Sequence, residues 1–349
     1  MRRTGVLLTA FGGPDCLDAV APFMCSIMGM EPTEQVLSEA RRKYLTIGGF
    51  SPLPAMGERV AAQLERALNS IPLAEVTENE GGGLGLWGGA VASVRTDAKV
   101  TIPVVLGMLH SEPSIEGAVG RLAAAGVGEV VHVSLSPFEA EATLGAYRRA
   151  IDKALAAHPD VTVIESAAYH RSPGFVGLYA DALTEALHDV DALANKTLAV
   201  FTAHSLPIAD VEADPAYVDQ LRETAAAVAA EAGLGDPSGF AALSGIEAFG
   251  GPGVVTPWLL AFQSKGRRGG EWIGPDLDDV IAAAAATGFA VVAVCPIGFA
   301  LDHMETLYDL DVRAAERALS AGMEFARVNA PNADPRLIEA LSEATRKAV

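Results

Sequence analysis

Short runs of apolar and β-branched residues alternate along the chain with longer segments in which apolar positions recur every three or four residues. The short runs predict buried strands, and the longer segments predict amphipathic helices. Regular alternation of the two is typical of βαβ units, which build parallel sheets with helices on both faces. The predicted strands are 6–9, 100–106, 130–135, 161–166, 197–202, 259–263, 291–295 and 325–328, and the predicted helices are 34–44, 55–68, 115–125, 144–157, 175–187, 215–232, 277–286, the segment from 301 onward and 335–349.

The pattern divides into two similar halves, each of which begins with a strand that opens onto a turn, FGGP in the first half and AHSLP in the second. Loops at the carboxyl ends of parallel strands carry function, so we expect two α/β lobes, 1–165 and 166–328, facing one cleft. Glycine-rich segments at 78–93 and 238–255 are interpreted as surface loops or, alternatively, as lids over that cleft. Neither has the spacing of a phosphate-binding loop, so no nucleotide site is predicted.

Composition narrows the possible partners. The 349 residues carry a formal net charge of −19, which argues against nucleic acid and against an anionic membrane surface. The three cysteines have no CxxC or zinc-like spacing, so a disulfide framework is not expected and a reducing compartment fits. The weakly charged run at 281–301 is interrupted by glycine and proline, and we interpret it as helix, turn and buried strand. A soluble, cytoplasmic monomer is therefore predicted.

Two segments carry candidate chemical groups. His204 lies in FTAHSLP, after a predicted strand, and its imidazole either bonds the start of the next helix or points into the cleft. In GFALDHMETLYDLD (298–311), Glu305 and Asp309 are four positions apart and share a face if residues from 301 onward are helical. A nearby cation would relieve their repulsion, and hard oxygen ligands suit a loosely held divalent ion. The alternative is a solvated acidic helix face.

A set of motifs stands in a fixed order along the chain. The motifs are LLTAFGGP (7–14), YLTIGGFSPL (44–53), GMLHSEPSIEGAV (107–119), FTAHSLP (201–207), FQSK (262–265) with Trp272 and Pro275, VCPIGFALDHMETLYDLD (294–311) and NAPNADPRLIEAL (329–341). With these motifs the chain resembles the ferrochelatases, and among them most closely the actinobacterial branch that acts on coproporphyrin III. The branch is indicated by CPIGF followed by DH and, later, by PNADPR.

The resemblance implies two Rossmann-like chelatase domains, each a central parallel sheet flanked by helices, with residues 329–349 packing back on the core. The implied activity is insertion of ferrous iron into a free-base porphyrin, with coproporphyrin III favoured over protoporphyrin IX. His204 corresponds to the family's proton acceptor, Glu305 to its catalytic carboxylate on the metal and proton path, and Asp309 to a further metal ligand. The implied porphyrin-binding positions are Phe11, Ile27, Met28, Gly49, Phe50, Ser51, Pro52, Leu109 and His110.

The chain departs from the family where bases are expected. CSIMGMEP (25–32) stands in place of an arginine-rich stretch, and Leu109 stands in place of Arg or Lys. Propionates are anionic and favour Arg or Lys, so their recognition has to come from elsewhere or the substrate differs. Where a third carboxylate would extend the acidic row, this chain has Arg313. The candidate substitute bases are Arg41, Arg42, Lys265 and Arg267.

Two alternatives to an iron chelatase remain: a chelatase for another divalent metal or another tetrapyrrole, and a non-catalytic porphyrin- or haem-binding protein. The expected partners are a porphyrin, Fe²⁺ as substrate and a downstream haem-processing enzyme. Some members of the family hold an Fe–S cluster on four cysteines, but this chain has only Cys16, Cys25 and Cys295, so no cluster is predicted.

Overall fold

The computed structural model describes residues 2–70, 101–192, 196–235, 256–266 and 269–349. It contains two four-stranded sheets, both fully parallel, which confirms the predicted α/β architecture of two lobes. The two predictions for the glycine-rich segments, 78–93 and 238–255, lie outside the described residues. The strands are β1 Arg3–Ala10, β2 Val104–Met108, β3 Val127–Ser134, β4 Thr162–Glu165, β5 Thr197–His204, β6 Trp258–Gln263, β7 Val291–Cys295 and β8 Glu324–Arg327.

The helices cover both sheets and differ from the predicted ones mainly at their ends. The pattern did not predict α1 or α7, and it treated the segment from residue 301 onward as one helix, whereas the structure divides it. The helices are α1 Val20–Met28, α2 Glu34–Thr46, α3 Leu53–Asn69, α4 Ile115–Ala124, α5 Ala146–Leu155, α6 Pro173–Asp189, α7 Ile208–Ala213, α8 Ala216–Glu231, α9 Leu277–Ala286, α10 Met304–Leu307, α11 Ala315–Ser320 and α12 Pro335–Arg346, with π-helical turns at Glu141–Gly145 and Asp309–Ala314.

The two sheets repeat one topology. Their strand orders, β2-β1-β3-β4 and β6-β5-β7-β8, place β5 in the second lobe where β1 lies in the first. Each central strand is buried on both faces, which explains its continuous apolar sequence. The C-terminal helix α12 packs against α3 and α6, and its buried residues join a core cluster that also contains side chains of β1 and β5. The two lobes therefore share one apolar core.

The run at 281–301 has the predicted form. Helix α9 ends before Gly288, which adopts a φ of +78°, and β7 follows with Cys295 fully buried at its end. None of the helices in the described ranges is both long enough and apolar enough to cross a bilayer.

The segment after β7 is fixed by buried polar contacts. The Tyr179 hydroxyl donates to the backbone carbonyls of Pro296 and Phe299, at 3.1 and 2.7 Å. The Arg327 guanidinium donates to both carboxylate oxygens of Asp311, at 3.0 and 2.7 Å, and also contacts Asp302. Charge-assisted bonds of this kind fix geometry well, so the residues between them have a defined place.

We predict that Gly298→Ala destabilises the fold and displaces the end of β5. The Gly298 amide donates to the Thr202 carbonyl at 3.0 Å, and an added Cβ would lie 2.6 Å from the Cβ of Ala203 and 2.7 Å from its Cα. A backbone neighbour cannot move aside cheaply, so the free energy of unfolding should fall by about 1–3 kcal/mol. Urea denaturation followed by circular dichroism measures the change. Gly269→Ala is the control, because nothing lies within 4 Å of its added Cβ; equal effects of the two substitutions would contradict the explanation.

Candidate functional site

An imidazole and a carboxylate meet at the carboxyl end of the second sheet. His204 is the last residue of β5, and Glu305 lies in the first turn of α10. His204 Nδ1 lies 2.9 Å from Glu305 Oε2, which is hydrogen-bonding distance. The two side chains are 33 % and 28 % exposed, so both are largely sheltered but still reachable from solvent. The structure thus brings together the two residues that the sequence singled out for catalysis.

Neighbouring backbone and side-chain contacts hold this pair in place. In the β5–β6 register His204 pairs with Gln263, whose side-chain amide donates to the Glu305 carbonyl at 2.7 Å. The Tyr217 hydroxyl donates to the His204 carbonyl at 2.9 Å. At the start of α10, the His303 amide donates to the Thr306 hydroxyl at 3.0 Å, which fixes the turn that carries Glu305. These hydrogen bonds therefore position the end of β5 and the start of α10 independently of the contact between His204 and Glu305.

The two groups shift each other's pKa in opposite directions. Burial alone would lower the pKa of His204, but the charge of Glu305 and the hydrogen bond to it prevail and raise the pKa above 6.5. Burial would raise the pKa of Glu305, but His204 outweighs it and the pKa lies below 4.5. The raised pKa of His204 stabilises the fold below pH 6.5, a contribution lost as pH rises through the folded value. The lowered pKa of Glu305 stabilises it above pH 4.5, a contribution lost as pH falls through the folded value.

Asp309 lies one turn beyond Glu305, but the single helix face expected from the sequence is not formed. Helix α10 starts at Met304 rather than near 301 and ends at Leu307, and the wider π-helical turn begins at Asp309 itself. The Asp309 carboxylate is 8 % exposed and accepts a hydrogen bond from the Ser264 hydroxyl at 2.5 Å. Single π-helical turns occur often at functional sites, because the extra residue redirects a side chain. Within the described part of the chain, no group of three or more His, Cys, Asp and Glu side chains is arranged to hold a metal ion.

The first lobe contributes an aromatic cluster at the end of β1. The ring centroids of Phe11 and His110 are 4.7 Å apart, and Phe23 lies 6.4 Å from Phe11 and 6.5 Å from His110, all edge to face. His110 Nδ1 also lies 2.9 Å from the Ser26 hydroxyl, and burial lowers the pKa of this histidine. An imidazole kept neutral in this way extends the apolar surface. Phe11 and His110, both implied as porphyrin-binding, are thus in direct contact.

The other implied porphyrin-binding residues divide into exposed and buried ones. Ile27, Met28 and Phe50 are 40 %, 38 % and 47 % exposed, so their side chains are accessible to a ligand. Gly49 has a φ of +91° in the turn before Phe50, and Pro52 directly precedes α3.

Two of the implied residues point elsewhere. Ser51 is 3 % exposed, and its amide donates to the Pro14 carbonyl at 2.7 Å, so it supports the FGGP turn. Leu109 packs against the apolar cluster formed with α4 and α5.

The sequence did not single out a contact that joins the lobes. Lys43 Nζ on α2 lies 5.3 Å from the ring centroid of Tyr308, within cation–π range. Met304 packs against the cluster that contains Phe23 and Tyr44, so α10 rests on α1 and α2. The Lys43 charge contributes to the lowered pKa of Glu305, and burial followed by the Glu305 charge raises the pKa of Tyr44. The only sequence signal was that Tyr44 opens the motif YLTIGGFSPL.

The architecture of two parallel sheets around this region is that of the chelatases. SirB from Bacillus subtilis, solved with Fe³⁺, matches 99 % of this chain and 95 % of its own with a TM-score of 0.52. The identity is 11 %, so this likeness shows the fold alone.

Sequence comparison goes further than the fold. The family model described as Ferrochelatase matches residues 89–349. A ferrochelatase of Deinococcus radiodurans is 31 % identical over 97 % of this chain and 93 % of that protein. Coproporphyrin III ferrochelatase 2 of Bacillus cereus is 28 % identical over 100 % of this chain and 95 % of that protein. This chain belongs to the ferrochelatase family and is a metal chelatase of the lyase class.

We predict that Glu305→Gln lowers the pKa of His204 in the metal-free protein. The substitution removes the charge that raises this pKa and leaves the burial that lowers it, so the imidazole should become neutral at a lower pH. Titration of the histidine ring signals by NMR measures the shift. The matched control is Glu316→Gln, which removes an exposed carboxylate from α11. An unchanged His204 titration in Glu305→Gln would contradict the assigned electrostatic coupling.

Proposed function

We propose that this protein inserts ferrous iron into a free-base porphyrin in haem biosynthesis, with coproporphyrin III as the favoured substrate. The observation that carries the proposal is the 2.9 Å contact between His204 and Glu305, set beside the aromatic cluster of Phe11, Phe23 and His110. Family membership supports the reaction class. The pair supplies a proton acceptor and a metal-binding carboxylate, and the cluster supplies an apolar surface for a flat macrocycle.

The reaction needs both kinds of surface. Two pyrrole N–H protons leave as Fe²⁺ enters, and in a flat ring the nitrogen lone pairs point inward, where metal and base cannot both reach them. Gripping the ring in a puckered form exposes the lone pairs, which is binding energy directed to distortion. His204 accepts these two protons one after the other in this proposal, and it must release the first to solvent and become neutral again before it takes the second. Glu305 delivers the metal and Asp309 lies on its route from solvent.

In this proposal the substrate is selected by the charges at the rim, which is the edge of the porphyrin-binding surface that the propionates would meet. The relatives named coproporphyrin III ferrochelatases and the motifs shared with the actinobacterial branch support a substrate with four propionates. The exposed rim is apolar at Ile27 and Met28, so we infer that bases on α2 bind the propionates instead. Arg41 and Arg42 are exposed there. Lys265 lies 3.5 Å from Asp276 and is already paired, and Arg267 lies outside the described residues.

A second candidate function is a chelatase for another divalent metal or another tetrapyrrole. It is favoured by the missing base at Met28, since an exposed apolar side chain there suits a substrate with fewer carboxylates. A downstream haem-processing partner, a monomeric state and a cytoplasmic location stay predictions of the sequence.

We predict that His204→Ala and Glu305→Gln each slow metal insertion about 100-fold or more, because each removes a group that acts on the reacting atoms. Porphyrin binding should persist, since the aromatic cluster is intact. The measurement is anaerobic incubation with Fe²⁺ and, separately, coproporphyrin III and protoporphyrin IX, followed by the Soret and Q bands. His188→Ala is the control, because this side chain is 91 % exposed. Absence of insertion by the unaltered protein with either porphyrin would overturn the proposal and favour the second candidate.

A further inference from the structure

A depression lined by Arg313, whose guanidinium also faces Asp309, is not used by the reaction as described. Its volume is about 230 Å³, enough for a hydrated ion and several waters. It lies where the strand end after Gln263 meets the start of α9 and the π-helical turn. Its lining residues are Ser264, Lys265, Asp276, Asp278, Asp279 and Arg313.

Arg313 lies between Asp278, which lines the depression, and Asp309, which does not, and it forms a hydrogen bond to neither. Its Nη1 lies 3.8 Å from Asp309 Oδ1, and its Nε lies 3.9 Å from Asp278 Oδ2. Both distances exceed the limit for a hydrogen bond. Arginine usually meets carboxylates through short paired bonds, so this contact is one of charge alone. The guanidinium therefore neutralises its neighbours without being fixed to them.

The same three side chains leave polar atoms unsatisfied. Asp309 Oδ1, Asp278 Oδ1 and Arg313 Nε are buried and have no hydrogen-bond partner among the described residues. Asp309 is the informative case, because its side chain is only 8 % exposed. Its other oxygen is occupied by Ser264, so the single open acceptor faces Arg313, a lining residue of the depression. A buried carboxylate oxygen without a hydrogen-bond partner destabilises the folded protein unless a ligand binds to it.

Charge balance points to a cation as that ligand. Four aspartates, at 276, 278, 279 and 309, face two bases, Lys265 and Arg313, which leaves a net charge of −2 in the cluster. Lys265 lies by Asp276, so Arg313 is the base that competes directly for Asp309. Arginine cannot lose its proton in a protein, so it can only give way by moving. The partly exposed Asp278 is within reach as its alternative partner, because both side chains are about 40 % exposed.

We propose that Arg313 is a built-in counter-cation that a divalent metal ion must displace toward Asp278 before it can bind Asp309. The proposal rests on the proposed function, in which Asp309 lies on the route to Glu305. Arg313 then sets how tightly the metal ion is bound on entry. Before the reaction, its positive charge keeps metal ions from occupying the acidic cluster. Arg313 does not touch the reacting atoms, so its effect is on the affinity for the metal ion and not on the chemical step.

The first test measures metal binding without porphyrin. Mn²⁺ is titrated into the full-length protein and the signal of the free ion is followed by EPR. Arg313→Gln should bind Mn²⁺ about tenfold more tightly than the unaltered protein, because a like charge beside the ion is removed. Arg313→Lys should stay close to the unaltered protein, since the charge is kept. Adding Asp309→Asn to Arg313→Gln should remove the gain.

The control variant is Arg317→Gln, which removes an exposed positive charge one turn further along α11. The proposal is overturned if Arg313→Gln binds Mn²⁺ no more tightly than the unaltered protein, if Arg317→Gln shows the same gain, or if the gain survives Asp309→Asn. The second readout is steady-state insertion, in which Arg313→Gln should lower the KM for Fe²⁺ and leave the KM for porphyrin unchanged. If no porphyrin is metallated, the proposed function fails while the Mn²⁺ titration still decides the role of Arg313.

Discussion

The contact between His204 and Glu305 is the interaction that lets two titratable groups stay charged in a largely sheltered place. A carboxylate this sheltered in a chain of net charge −19 would be costly if it stood alone. The imidazole beside it offsets that cost, and each group stabilises the charged form of the other. Gln263 and Tyr217 bond to the backbones of Glu305 and His204, so the helix start and the strand end stay in place without this contact. The contact therefore determines the charge of the two side chains, and the surrounding hydrogen bonds determine their position.

Sequence pattern was enough to predict the sheets and to place His204, since parallel strands bring their carboxyl ends to one edge. Glu305 became a candidate first through its four-residue spacing to Asp309 and then through the motif. The helical pattern predicted a continuous face from residue 301, whereas the chain forms a π-helical turn at Asp309. An extra residue shifts the apolar periodicity by only one position, which a helical segment of four residues is too short to reveal. The contact of Lys43 with Tyr308 was equally hidden, because it joins two lobes far apart in the sequence.

The duplicated topology shows where the two lobes diverge chemically. Each lobe has a π-helical turn after its equivalent strand, β3 or β7, and each turn places an acidic residue beside an arginine. In the first lobe Glu141 and Arg149 are 69 % and 62 % exposed, where an ion pair has little effect. In the second lobe Asp309 is 8 % exposed. The two turns have the same π-helical form, and they differ in the burial of their acidic residue.

A ferrochelatase must attract a dication and a porphyrin that carries carboxylates, and a single field cannot favour both. This chain separates the two demands in space. Acidic groups gather around Asp309 and the depression next to Arg313, while the first lobe presents aromatic rings and the exposed Arg41 and Arg42 of α2. Lys43 lies at the boundary between the two regions, because it contacts Tyr308 and contributes to the lowered pKa of Glu305. The loss of bases at the rim is therefore compatible with an anionic substrate, provided that α2 meets it first.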